Sequence, residues 1–211
     1  RERFRRWTEV LMSASAEEQA LIPEAGAQMR AYLLELADAM APGLENSLYA
    51  RLVDLRGKGE LNDEELAAMG FLLIVAGHET TAALLSSGLL ALKTTAGAWQ
   101  RLTEAPDETD CVVEELLRYC SPIEVATPRF ARQRIDVGGC TILSGDTVFL
   151  SIAAANRDAS RFTCPHTLDI DRDARGHLAF GLGPHFCLGA SLARLEASLA
   201  FSTLATPYPN I

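Results

Sequence analysis

The sequence predicts a mainly α protein with small β elements. Three observations carry that class. Ala- and Leu-rich runs, punctuated by Gly and Pro, fill the first half of the chain. One stretch, 60–92, is longer than most globular helices and opens on helix-start residues. After Ser121-Pro122 the pattern changes to short β-type runs between glycines, then a long loop, then one more helix. The 211 residues, 48% hydrophobic and 22% charged, can bury a sizeable core. A net charge of −9 argues against a nucleic-acid binder, which carries a basic face. The five cysteines form no C-x-x-C pair, so neither a zinc ribbon nor a disulfide scaffold is expected.

Taken in order, Arg1, Arg3, Arg5 and Arg6 surround Phe4 and Trp7. That pattern fits a basic membrane anchor or, the simpler reading, one charged helix face of a larger fold. Gln28 to Met40 is a helix expected to end before Pro42. Gly57-Lys58-Gly59 is a turn. Asn62 or Asp63 caps the long helix, and Glu64 and Glu65 sit in its first turn, where the helix dipole favours them. Its apolar part, Met69 to Leu92, has the length of a membrane span. His78 and Glu79 at its middle would be costly in a bilayer, so a buried helix of a soluble, cytoplasmic protein is expected. Asp110 to Tyr119 is a helix stopped by Ser121-Pro122. Ile135–Gly139 and Thr147–Leu150 are β-type, and Ala153 to Arg157 is a short helix. Pro165 to Gly189 is mostly loop, a length that is usually functional. Leu188 to Leu204 is a final helix, with Leu192, Leu195 and Leu199 near helical spacing.

The loop ends in Phe180-Gly181-Leu182-Gly183-Pro184-His185-Phe186-Cys187-Leu188-Gly189. Its glycines let the backbone turn tightly and pass close to something flat or bulky. Cys187 falls at the start of the last helix, where backbone N–H groups and the dipole favour a thiolate. Two readings follow: a buried structural cysteine, or a soft axial ligand for haem iron. A second cluster, Ala76-Gly77-His78-Glu79-Thr80-Thr81, interrupts the apolar helix with polar groups. Thr80 can bond back to the carbonyl of Ala76 and open the helix locally. A Glu–Thr pair beside a cavity can pass protons from solvent. The competing reading is a polar patch against another helix. Third, Glu115 and Arg118 stand at i, i+3 on one helix face, by themselves no more than a surface ion pair.

Together the three segments resemble the cytochrome P-450 family, the haem-thiolate monooxygenases. The cysteine segment matches F-x-x-G-x-H-x-C-x-G, the long helix A-G-x-[DE]-T, and Glu115–Arg118 the E-x-x-R helix, in the family's order. The resemblance implies the helical core of the C-terminal portion of that fold, over roughly 60–200. It makes 1–211 a partial domain: helices over 1–59, the long helix over 60–92, and the remaining motifs over 110–211. It implies that Cys187 is the iron ligand, that Phe180 packs beside the sulfur, and that His185 bonds a haem propionate. N–H groups near Leu188 and Gly189 would temper the sulfur. Ala76 and Gly77 would flank the oxygen site, with Glu79 and Thr80 as the acid–alcohol pair. Arg172 would join Glu115 and Arg118 in a structural network.

Val125–Ala131 resembles the strand that passes the haem, so Arg129 would bind a propionate; alone, it reads equally as a solvated strand-edge charge. Ile123, Val125, Ala126 and Thr127 would face substrate, and Asn156–Asp158 would determine the fold. The implied cofactor is haem b. The implied partners are a ferredoxin or flavoprotein reductase, O2 and a small apolar substrate, with neither nucleic acid nor membrane. Leu72, Leu73, Val75, Ala76 and Val125 make the expected pocket apolar and small-sided. The family's chains are about twice this length, so a fragment is expected, without the family's N-terminal half or its last strand pair. The alternative to a monooxygenase is a non-catalytic truncated remnant or a haem-binding module of the same fold.

Overall fold

The structure, a computed structural model, describes residues 2–12, 15–39 and 45–209. Its elements are α1 (Glu2–Met12), α2 (Ala16–Gln19), α3 (Ile22–Ala39), α4 (Leu48–Gly57), α5 (Asp63–Thr94), α6 (Ala98–Glu104), α7 (Thr109–Cys120), α8 (Ile152–Ala155) and α9 (Ala190–Ala205). Strands β1 (Arg129–Phe130) and β4 (Thr147–Val148) pair antiparallel, as do β2 (Ile135–Val137) and β3 (Cys140–Ile142). Gly138 and Gly139, both at positive φ, make the tight turn of the second pair. The chain divides into two compact units, Arg1–His78 and Glu79–Ile211, with the boundary inside α5.

In the first unit, α1 packs on α3: Trp7 and Val10 are buried with Ala25, Met29 and Leu33. The Trp7 indole N–H donates to Gln28 Oε1 at 2.8 Å, and Arg5 is paired with Glu9. The apolar side of α1 is thus used inside the chain, as the simpler reading of the N-terminus expects; Arg1 lies outside the described residues. Helix α3 starts at Ile22, six residues before the predicted Gln28, because Pro23 sits in its first turn, where a missing N–H is tolerated. The predicted end at Met40–Pro42 lies outside the described residues. Asn62 and Glu65 exchange bonds across the start of α5: Asn62 Oδ1 accepts from Glu65 N, and Glu65 Oε2 accepts from Asn62 N, both at 2.9 Å. That reciprocal cap satisfies two donors with no partner in the helix.

Helix α5 runs unbroken from Asp63 to Thr94. The local opening predicted at Thr80 does not occur; a hydroxyl can bond back along a helix without breaking it. The sequence predicted a buried helix, but α5 is buried only in part. Leu66 packs with Ala37 and Leu52, and Leu84 and Leu92 pack in the second unit's core, while Ala76, Gly77 and His78 are exposed. A helix that is apolar all round needs cover on every side.

The second unit's core joins Leu84, Leu92, Trp99, Leu102, Val113, Leu116 and Phe201. Helix α9 contributes Ala190, Ala197, Phe201 and Ala205; Leu192, Leu195 and Leu199, whose spacing marked the helix, are all more than half exposed. Both sets of residues have helical spacing, so periodicity alone does not choose between them. The alanine face lets α9 approach α7 closely. Helix α7 stops at Ser121, which adopts a left-handed conformation (φ 44°) just before Pro122.

Candidate active site

The E-x-x-R pair is not on the surface. Glu115 and Arg118 have no exposed side-chain area. Arg118 Nε and Nη2 each donate to a Glu115 oxygen at 2.7 Å. Its remaining N–H groups donate to the carbonyls of Asn156 (2.9 Å), Pro165 (2.8 Å) and Thr167 (3.1 Å). Arg172 Nε also donates to Glu115 Oε1, at 3.2 Å, and its Nη1 to the Thr163 carbonyl. This is the network predicted for Arg172. It ties α7 to the long loop, replacing lost water contacts with a full set of bonds. Asn156, buried, adds a second tie: its Nδ2 donates to Ser121 Oγ (2.9 Å), and its Oδ1 accepts from Leu178 N (2.7 Å).

Those ties deliver the chain to the cysteine segment. Cys187 N donates to the Phe180 carbonyl at 2.9 Å, closing the loop on itself. Gly181 (φ 73°) and Gly183 (φ 82°) take left-handed conformations that a side chain would oppose. Between them and Cys187 lies a short 3-10 turn, Gly183–His185. Gly189 precedes α9, and a Cβ there would stand 4.0 Å from Cys187 Sγ. Phe180, Cys187 and Gly189 are therefore brought together, with His185 in the same loop. The Phe180 ring meets Phe186 edge-on, centroids 6.3 Å apart.

Cys187 and His185 are exposed, not buried, and Leu182 and Leu188 are more than four-fifths exposed. A soft sulfur pinned by its own backbone at the foot of a helix, amid uncovered apolar side chains, has the chemistry of a haem axial ligand. The other reading, a buried structural cysteine, does not describe it. Arg129, on β1, is exposed; its Nη1 donates to Thr127 Oγ1 (2.7 Å) and to the Thr127 carbonyl (3.1 Å). On α5, Glu79 and Thr80 are half-buried and Ala76 and Gly77 exposed; a Cβ on Gly77 would meet nothing within 4 Å.

One set of residues at this site was not anticipated. Glu114, His177 and Arg194 meet beside Phe180. Burial pushes the Glu114 carboxyl up, but hydrogen bonds from His177 and Arg194 and the Arg194 charge outweigh it and bring its pKa to about 2. The available signal was the doublet Glu114-Glu115: consecutive helical residues diverge by about 100°, so only one of them can share a face with Arg118.

A mainly helical fold with a cysteine loop closed ahead of its last helix fits the haem-thiolate class. The family model for Cytochrome P450 matches residues 27–206, and the chain belongs to that family, whose members are haem-dependent monooxygenases. It is 38% identical, over its full length, to the polyketide biosynthesis cytochrome P450 PksS of Bacillus subtilis, covering 52% of that protein. It is 41% identical to the cytochrome P450 monooxygenase PikC of Streptomyces venezuelae, over 99% of this chain and 50% of that one. Among solved structures, P450BioI in complex with an acyl carrier protein ligated to hexadec-9Z-enoic acid superposes with a TM-score of 0.88 at 39% identity. That match covers 97% of this chain and 54% of that one. The chain spans about half the length of the curated relatives it matches.

Proposed function

We propose that the protein is a soluble, cytoplasmic monooxygenase that holds haem b through Cys187 Sγ and hydroxylates a small apolar molecule. One atom of O2 enters a substrate C–H bond. The other leaves as water, with two protons from solvent and two electrons from a ferredoxin or flavoprotein. Haem, when bound, supplies the oxygen chemistry, and a thiolate ligand favours O–O cleavage.

The chain's own residues bind and orient. Cys187 presents its sulfur from a loop fixed by its N–H bond to Phe180. His185 hydrogen-bonds a haem propionate and Arg129 pairs with a propionate; Arg129 can make a bidentate bond to carboxylate. Glu79 exchanges protons with solvent, and Thr80 Oγ1 holds the proton at the inner end of that relay. Ala76 and Gly77 form the helix wall beside it, where a small side chain leaves room for a diatomic ligand. Ile123, Val125, Ala126 and Thr127 line the substrate side; Ile123 and Val125 are large apolar side chains close to half exposed, in keeping with an apolar substrate.

The observation that carries this reading is the exposed, backbone-pinned Cys187 among uncovered apolar residues. The test is the reduced, carbon-monoxide-treated spectrum of the haem-loaded protein. A Soret band shifted far to the red is expected in the parent and in Cys164→Ala, and its loss in Cys187→Ala. If Cys164→Ala abolishes the band and Cys187→Ala keeps it, the ligand assignment is wrong. Haem uptake with no substrate turnover would instead favour a haem-binding module.

A further inference from the structure

Three polar side chains that the proposed chemistry leaves unused converge on Phe180. Arg194 lies on α9 and Glu114 on α7. Arg194 Nε donates to Glu114 Oε1 at 2.5 Å and Nη2 to Oε2 at 3.0 Å, a bidentate clamp that fixes the guanidinium plane. That guanidinium stands over the Phe180 ring, 4.6 Å from its centroid. The His177 ring also lies beside Phe180, with centroids 5.9 Å apart and the planes tilted by 50°. His177 Nδ1 accepts from Ala179 N at 3.1 Å, so its proton is on Nε2, 3.2 Å from Glu114 Oε2. His177 therefore donates to Glu114 through Nε2. The path is continuous: Glu114 orients Arg194, Arg194 and His177 hold the Phe180 ring, and the Phe180 carbonyl holds Cys187 N.

We propose that Glu114, Arg194 and His177 are positioning residues that fix Phe180 against the Cys187 loop and set the electrostatic environment of its sulfur, and so the reduction potential of iron bound there. This rests on Cys187 being the ligand, as proposed above. The network pairs one cation with one anion, the Arg194 guanidinium with the Glu114 carboxylate. The Arg194 pKa is raised first by the bond to Glu114, against burial, and then by the Glu114 charge. Arg194 is the cation of the set, so removing it disfavours added negative charge at the ligand.

The experiment is a spectroelectrochemical titration of the full-length, haem-loaded protein. Arg194→Gln leaves Glu114 unbalanced and should lower the midpoint potential. Glu114→Gln leaves Arg194 unbalanced and should raise it. Each shift should change the one-electron reduction equilibrium about threefold to tenfold, where tenfold corresponds to 59 mV. Arg194→Lys keeps the charge and should stay within about threefold of the parent, and it decides the matter if Arg194→Gln takes up no haem. A role confined to packing would move both glutamine variants the same way. Shifts of the same sign, or none in either variant, overturn the proposal while the thiolate band of the parent stands. A parent with no thiolate band refutes the ligand assignment, and this network's role with it.

Discussion

Arg118 shows how little of a residue's role is set by its own identity. As a solvated partner of Glu115 it would contribute a few tenths of a kcal/mol. Enclosed, it satisfies the backbone carbonyl of Asn156 and two from the long loop as well as the carboxylate. Arg118→Met would leave the buried Glu115 carboxylate with Arg172 as its remaining cation and those carbonyls unpaired, at a cost of about 3–5 kcal/mol. Urea unfolding measures it, and a loss under about 1 kcal/mol would refute the account. Glu114, its neighbour, gives a pH signature. Its folded pKa of about 2 lies below the ordinary carboxylate value of 4.5. Its contribution is thus complete above about pH 4.5 and lost as pH falls through about 2. The Glu114→Gln variant should be less stable at neutral pH and lose stability less steeply in that acid window. Acid titrations followed by circular dichroism compare the two slopes, and identical slopes would count against the pairing.

At the scale of elements, α5 holds glycines in two unlike roles. Gly88 is buried, and a Cβ there would stand 2.9 Å from Phe201 Cζ and 3.2 Å from Leu116 Cδ1. Gly77 has open space around its Cα. Alanine is a better helix former than glycine by about 1 kcal/mol. At position 77 that gain is unopposed, so Gly77→Ala should stabilise the chain by roughly 0.5–1 kcal/mol. At position 88 overpacking of about 1–3 kcal/mol opposes it, and Gly88→Ala should destabilise. Thermal unfolding of the pair tests this; stabilisation by both would show that α9 gives way at Phe201. A glycine that has no packing reason to lack a side chain fits the proposed room for a ligand at 77. Helix α9 carries the complementary lesson, since alanines bury and leucines face outward.

For the whole molecule, the notable fact is uncovered apolar surface. Leu182, Leu188, Phe130, Phe149 and Leu90 are each more than 60% exposed. Exposed apolar surface on this scale marks an interaction face or an aggregation liability. Expressed alone, the chain should self-associate at micromolar concentration and bind a hydrophobic dye. Sedimentation and dye fluorescence measure both, and a monomer that binds no dye would show that these side chains find cover within the chain. The two units, each with its own core, fit relatives of about twice this length.

The sequence by itself determined the helical class, a cap at Asn62 or Asp63, the stop at Ser121-Pro122, the i, i+3 spacing of Glu115 and Arg118, and the place of Cys187 near the last helix. These are local matters: a cap, a breaker or a motif is written in adjacent residues, and backbone chemistry allows few alternatives. Only the tertiary structure decided which side of α9 is buried, that α5 is covered on some sides and open on others, and that Glu114 belongs with Arg194 rather than with Arg118. Arg194 lies 80 residues beyond Glu114. Burial and long-range pairing depend on which distant surfaces the folded chain brings together, and no periodicity within one segment carries that information.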